Sequence, residues 1–188
     1  MKTGIDPELI QSCKKGNHTS FEKLFYLCKD SVYNVAFRFT GNREDAEDLT
    51  QEAFVKIYLS LKDFRMESSF STWVYRITAN LCTDFLKRHS KRSIIEESVE
   101  QSAEVVAKAK ESNPLFLLTQ KELASKVEET LQTLEEDQRL VLTLRAIERL
   151  PYKDIADVLG CSIGAVKMRV HRAREAFREK ISSYLEEE

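Results

Sequence analysis

The chain has 188 residues, enough for one or two domains, and it contains only five Gly and three Pro. Its 29 Lys and Arg nearly balance 31 Asp and Glu, so overall charge does not point to one class of partner. No apolar run reaches membrane-spanning length and no signal-peptide core opens the chain, so we expect a cytoplasmic protein without membrane insertion. Helical periodicity without strand alternation predicts an all-α fold, with two small helical domains joined by a flexible linker.

The N-terminal domain, over residues 1–91, is predicted to contain four helices around one core. The first two helices end at Gly16 and Gly41, because Gly tolerates the left-handed conformation that closes a helix. The third and fourth helices are predicted over 43–61 and 70–90. Their apolar residues recur at steps of three and four, which is typical of helices packed on a shared core.

The third helix carries an acidic polar face opposite its apolar stripe. A charge run of this kind usually only faces water, and the alternative is a docking surface for a basic or polar partner helix. The candidate docking residues are Asp45, Asp48, Leu49, Gln51, Glu52, Phe54 and Lys56.

The fourth helix combines an apolar stripe, which places Trp73 in the core, with a face of aromatic, amide and cationic side chains. Such a face suits single-stranded DNA, because bases stack on aromatic rings and phosphates need counter-charges. The Asn80 amide can bond the edge of a base, although a mid-helix Asn can also simply face water. With the preceding loop, the candidate residues are Phe64, Arg65, Ser69, Tyr75, Arg76, Asn80, Thr83, Lys87 and Arg88.

Residues 92–118 are acidic, rich in Ser and weakly periodic, and Asn113-Pro114 is a helix breaker, so we predict a linker. The C-terminal domain, over 119–188, is predicted to contain four helices. A short helix before Gly160, a tight turn, and a longer basic helix capped by Ser162 make a helix-turn-helix.

The last helix concentrates positive charge, with six Lys or Arg against two Glu between residues 162 and 180. Its outward face can enter a major groove, and the alternative is a basic face that only meets water. Four residues are candidates for groove contacts: Lys167, Met168, Arg169 and Arg172. The further DNA-binding candidates are Arg145, Arg149, Ser162, Gly164, Ala165 and Arg174.

The four cysteines are widely separated and form no C-x-x-C pair, so we expect reduced thiols, no metal and no cofactor. The sequence also lacks a phosphate-binding Gly loop and a nucleophile with a base, which argues against an enzyme.

Three motifs carry a resemblance to one family. DAEDLTQEAF resembles the second-region helix of sigma-70 family transcription initiation factors, and GAVKMRVHRARE resembles the fourth-region helix. The loop 63–69 with FSTWVYRITAN is similar to the small extracytoplasmic-function (ECF) branch. The resemblance implies a subunit that binds the beta and beta-prime subunits of core RNA polymerase and directs promoter-specific initiation.

The resemblance also implies how the work is divided between the domains. The N-terminal domain would read and melt the minus-ten element, with Phe64 and Asn80 holding a flipped base. The C-terminal helix-turn-helix would read the minus-thirty-five element. The implied partners are promoter DNA, both double-stranded and locally melted, and an anti-sigma factor that can hold the protein at the membrane. A stress response is the implied setting.

The alternative is a helix-turn-helix repressor or activator whose N-terminal half senses a ligand or dimerises. The C-terminal half alone is compatible with either function. DAEDLTQEAF followed by FSTWVYRITAN favours the sigma factor, since a ligand-sensing domain has no need of that pair.

Overall fold

A computed structural model describes residues 5–92 and 114–185 of the chain. These residues form helices and connecting turns with no strand among them, which confirms the predicted all-α class. The helices are α1 (Pro7–Lys14), α2 (His18–Thr40), α3 (Arg43–Ser60), α4 (Phe70–Arg92), α5 (Pro114–Gln132), α6 (Glu136–Leu142), α7 (Tyr152–Leu159) and α8 (Ile163–Leu185). A 3-10 turn, Leu61–Asp63, follows α3, and a π-helical turn, Thr143–Ile147, follows α6.

Side-chain caps fix where the N-terminal helices begin. The Asn17 side chain accepts a hydrogen bond from the backbone N–H of Ser20 at the start of α2. Asn42 does the same at the start of α3, where it accepts from the N–H groups of Glu44 and Asp45. Each cap satisfies amides that have no partner within their own helix.

The N-terminal helices share one core, as predicted. Helices α1, α3 and α4 all pack on α2. Ala36, Ala46 and Ala53 have no exposed surface, and such small side chains allow α2 and α3 to approach closely. Trp73 is 8% exposed, which confirms its predicted place in the core.

The C-terminal domain contains the predicted helix-turn-helix, formed by α7 and α8. Gly160 ends α7 in the left-handed conformation at φ +62°, and the Ser162 hydroxyl accepts from the Ala165 N–H at 3.1 Å. Ile155 and Val166, one from each helix, have no exposed surface and hold the pair together.

The predicted linker boundary needs one correction. The sequence predicts that Pro114 breaks a helix inside the linker, whereas in the structure helix α5 begins at Pro114. Proline fits the first turn of a helix, because amides there have no helical partner to lose. The remaining linker, residues 93–113, lies outside the described residues.

The two domains are in contact, and the C-terminal domain closes the end of α2. The last carbonyls of a helix lack partners within it. The Gln132 side-chain amide donates to the Arg38 carbonyl at 3.0 Å, and the Arg139 guanidinium donates to the Phe39 carbonyl at 2.7 Å. Side chains of α5 and α6 therefore cap a helix of the other domain.

A buried ion pair lies beside this cap. Arg38 of α2 approaches Glu128 of α5 at 3.2 Å, and Glu128 is 5% exposed. Burial raises the pKa of the Glu128 carboxyl, against the opposing effects of Arg38 and Arg139. Burial also lowers the pKa of Arg139. Both shifts indicate that these two charges are partly removed from water.

Candidate polymerase and nucleic-acid interfaces

The polar face of α3 is open to solvent along much of its length. Asp48, Gln51 and Lys56 are exposed, whereas Asp45 and Glu52 are half-buried. Glu52 pairs with Lys56 at 3.3 Å one turn away. The predicted docking surface therefore presents charges of both signs.

Two members of the predicted docking set need correction. Leu49 and Phe54 are 3% and 7% exposed and belong to the core, where they support α3 from beneath. Val55 and Leu59, which the sequence analysis missed, are 57% and 70% exposed on the same helix. Both follow Glu52 at helical steps, and this spacing was the available signal that they share the docking face.

The loop between the 3-10 turn and α4 is anchored by an aromatic cluster. The Phe64 ring lies 4.9 Å from the Trp73 ring and 5.5 Å from the Phe70 ring, measured between centroids. Phe64 is 3% exposed, so its ring packs within this cluster and does not face solvent, and its role in holding a flipped base stays a prediction. Burial of its ring fixes where the loop leaves the core.

Neighbouring loop residues have different roles. Arg65 is exposed and available to a partner. The Ser69 hydroxyl accepts from the backbone N–H of Thr72 at 3.0 Å and so caps the start of α4. Ser69 therefore ties the loop to the helix that carries the other candidate DNA-binding residues.

Helix α4 presents one continuous polar stripe. Arg76, Asn80, Thr83 and Lys87 are all exposed and follow one another at steps of four, three and four, which places them on one face. Arg88, also exposed, lies beside this face and approaches Glu52 of α3 at 3.9 Å. Two cations, an amide and a hydroxyl thus line about three turns of helix.

Tyr75 does not belong to this stripe, which corrects its predicted position. Its side chain is 1% exposed, and its hydroxyl donates to the Glu148 carboxylate of the C-terminal domain. Burial, together with the Glu148 charge, raises the pKa of the Tyr75 phenol. The phenol therefore stays protonated and donates across the domain contact.

The outer face of α8 is basic and exposed. Lys167, Met168, Arg169, Arg172 and Arg174 are all exposed, whereas Ala165 is half-buried. This arrangement places cations and one long apolar side chain on the accessible side of the helix-turn-helix.

The start of α8 is also accessible. Ser162 and Gly164 are exposed there, and an added Cβ at Gly164 would meet only the Ser162 hydroxyl, at 3.9 Å. Farther along the helix, exposed His171 approaches Glu175 at 3.3 Å, so it lies in a surface pair.

Two of the further DNA-binding candidates, Arg145 and Arg149, lie before the helix-turn-helix. Arg145 is half-buried, stacks 4.7 Å from the Tyr152 ring and donates to the Leu150 carbonyl, so its guanidinium holds the turn. In this structure the Arg145 guanidinium is therefore engaged within the protein. Arg149 is exposed at φ +58° and remains accessible.

A groove of about 810 Å³ lies between the two candidate DNA-binding regions. Arg65 and Arg76 line the N-terminal side, and Asp157, Gly160 and Ser162 line the C-terminal side. The loop before α4 and the turn of the helix-turn-helix therefore face each other in this structure.

Within residues 5–92 and 114–185, no group of His, Cys, Asp and Glu is arranged to hold a metal ion. Burial raises the pKa of the Cys28 and Cys82 thiols to about 12 each, so both are protonated at neutral pH. None of the described helices is long and apolar enough to cross a membrane.

Comparison with known proteins identifies both domains. Residues 24–92 match the family model of sigma-70 region 2, and residues 124–177 match that of sigma-70 region 4. The chain is 34% identical over 180 residues to the ECF RNA polymerase sigma-E factor of Escherichia coli, covering 94% of each chain.

Two solved structures share the fold. The sigma factor RpoE in complex with the anti-sigma factor NepR, from Bartonella quintana, superposes with a TM-score of 0.71 at 23% identity, covering 86% of this chain and 96% of RpoE. CnrH, in complex with the cytosolic domain of CnrY, gives a TM-score of 0.66 at 26% identity, covering 96% of each chain. The two-domain arrangement is therefore that of known sigma factors, and a ligand-sensing repressor or activator is not favoured.

Proposed function

Because the chain belongs to the ECF branch of the sigma-70 family, we propose that its two exposed polar faces read two separate promoter elements. The protein is a non-enzymatic sigma factor, which binds core RNA polymerase and directs promoter-specific initiation. The proposal assigns minus-ten reading and melting to the N-terminal domain. Minus-thirty-five reading falls to the C-terminal domain.

The observation that carries the proposal is the stripe Arg76, Asn80, Thr83 and Lys87 on α4. An opened strand needs cations along its backbone and a polar group that can bond a base edge. The stripe supplies these groups in one line, and Arg65 extends it toward the loop. Phe64 acts from beneath, as part of the wall that shapes the loop.

The polymerase contact is proposed on α3. Asp48, Gln51, Glu52 and Lys56 supply polar and charged groups, and exposed Val55 and Leu59 supply apolar area within the same surface. Apolar centres surrounded by polar groups are the usual build of a protein–protein interface.

The minus-thirty-five contact is proposed on α8. Lys167, Arg169 and Arg172 can reach bases or phosphates in a major groove, and Met168 can contact a thymine methyl. Ser162 and Gly164 lie at the start of the helix, where backbone amides suit a phosphate. Arg149 and Arg174 flank the groove contacts as further phosphate ligands.

We also propose an anti-sigma partner and a cytoplasmic site of action. Support comes from family membership and from RpoE, a protein of the same fold that was solved with its anti-sigma factor. An anti-sigma factor anchored in a membrane would hold this protein at that membrane until release. Co-purification of a tagged chain tests for such a partner.

The experiment first defines the promoters. Core RNA polymerase, this protein and fragmented genomic DNA are transcribed together and the RNA 5′ ends are mapped. Asn80→Ala is then compared with wild type on a mapped promoter. We expect permanganate reactivity of minus-ten thymines to fall about ten-fold, because a lost base-edge contact costs about 1–3 kcal/mol.

The matched control is Asp30→Ala, an exposed α2 residue outside all the proposed surfaces. It should open the promoter like wild type, and both variants should bind core polymerase equally. Equal permanganate reactivity of Asn80→Ala and wild type would remove Asn80 from the proposal. A complete absence of new start sites would contradict promoter-directed initiation by this chain.

A further inference from the structure

Helix α1 lies outside both matched family regions, since the first of them begins at residue 24. It nevertheless packs against the segment that leads to α4. Ile10 is 2% exposed, and Ile5 and Pro7 line a cavity of about 300 Å³ together with Met66 and Phe70. Neither matched region accounts for this contact.

Two side chains of α1 reach the loop. The Lys14 ammonium donates to the Phe64 carbonyl at 2.8 Å, in a half-buried setting, across 50 residues of sequence. One turn earlier, the Gln11 amide donates to the Met66 sulfur at 3.6 Å. The first bond is charge-assisted and short, so it is the stronger of the two.

The loop needs external support for two reasons. The 3-10 turn ends at Asp63, and Phe64 adopts an extended backbone, which turns its carbonyl away from any helical partner. Met66 then adopts φ +60°, a conformation that costs a non-glycine residue about 1–2 kcal/mol. Such strain persists only where surrounding contacts impose it.

We propose that Lys14 is a positioning residue for promoter opening, holding the loop from Phe64 to Ser69 in the shape that receives the opened strand. The inference rests on the proposed minus-ten function of this loop and of α4. Lys14 acts through the Phe64 carbonyl, and the buried Phe64 ring transmits that position to Trp73 at the start of α4.

The test begins without DNA, because Trp73 is the only tryptophan of the chain and its ring contacts Phe64. In Lys14→Met the ammonium donor is lost and the loop loosens. We expect Trp73 emission to shift to longer wavelength and its quenching by acrylamide to rise about two-fold or more as water gains access. Lys15→Met, at an exposed neighbour, is the matched control and should match wild type.

The second arm measures opening by holoenzyme. Lys14→Met should lower permanganate reactivity at the minus-ten element about ten-fold, since 1.4 kcal/mol corresponds to that factor and a charge-assisted hydrogen bond is worth at least this much. Core polymerase binding should be unchanged. Lys14→Arg keeps a cationic donor and should restore both the emission and the opening.

The outcomes separate this inference from the function on which it rests. Unchanged Trp73 emission in Lys14→Met would overturn it, even if opening fell, because the lysine would then act on DNA directly. Changed emission with normal opening would also overturn it. If Asn80→Ala still impairs opening in either case, the proposed function survives. If neither variant affects opening, this inference fails and Asn80 is removed from the proposed function.

Discussion

Tyr75 and Arg76 are neighbours on α4 with opposite environments. Arg76 faces solvent, whereas Tyr75 is buried against the C-terminal domain and bonds Glu148. Arg76 therefore belongs to the proposed DNA-binding face, whereas Tyr75, the residue before it, contacts the other domain. The structure describes a closed form in which one edge of α4 is occupied by the chain itself.

Tyr75→Phe removes the donor but keeps the ring. Glu148 is half-buried and loses a charge-assisted bond, so the closed form should weaken about ten-fold relative to an open form. Small-angle X-ray scattering should then report a larger radius of gyration. Tyr58→Phe is the control, because Tyr58 is exposed and its ring packs on Phe21 within the N-terminal domain. An unchanged radius would show that this bond does not hold the domains closed.

At the scale of the elements, Gly41 connects α2 to α3 and lies against Gln132 of α5. Its φ of +69° favours glycine, and an added Cβ would lie 2.8 Å from the Gln132 side-chain oxygen. That oxygen cannot move freely, because it accepts from Arg139 at 2.9 Å. Position 41 therefore requires glycine both for its backbone conformation and for the space beside Gln132.

Gly41→Ala should lower the free energy of unfolding by about 2 kcal/mol, the sum of backbone strain and a disturbed cap. Gly16→Ala is the matched control. Gly16 has φ +86° but open space around the added Cβ, so we expect a loss of about 1 kcal/mol from strain alone. Urea unfolding measures both. Equal losses would show that the Gln132 contact adds nothing to stability.

Helices and caps were predictable because their signals are local. Gly41, Gly160 and Ser162 act within a few residues of their own positions, and the structure confirms that each ends or begins a helix. The burial of Tyr75 and the cap on α2 depend on residues 73 and 94 positions away. Helical periodicity carries no information about such contacts.

The candidate site was predicted in part for the same reason. Periodicity separated Trp73 from Asn80, which the structure places in the core and on the surface respectively. The spacing also predicts that Leu49 and Phe54 face the core, and the structure confirms it, so their inclusion in the docking set rests on motif resemblance alone. The docking and DNA-binding roles themselves stay predictions.

At the scale of the whole molecule, the contact between domains includes a buried acid, Glu128, which pairs with Arg38. Burial raises the pKa of Glu128, so the folded chain binds that proton more tightly than the unfolded chain. The resulting stability is full below the ordinary carboxyl pKa and is lost as pH rises through the raised value.

Glu128→Gln has no titrating carboxyl at this position. We therefore expect wild type to gain stability relative to Glu128→Gln as pH falls from about 8 to about 4. Urea unfolding of the two proteins in parallel measures the difference, and Glu129→Gln, at the exposed neighbour, is the control. A constant difference, or one that changes in the opposite direction, would contradict the burial of a titrating Glu128 in the domain contact.

The cap that the C-terminal domain places on α2 links the opening of the two domains to the order of the start of α3. Moving α5 and α6 away from α2 leaves the Arg38 and Phe39 carbonyls without their side-chain donors, so the last turn of α2 frays as the domains part. Asn42, which starts the acidic helix α3, follows that turn directly. By reciprocity, a polymerase that orders the start of α3 changes the domain-opening equilibrium by the same coupling free energy. Hydrogen exchange at the Gly41 amide, which closes α2 by donating to Phe37, would report both events from one position.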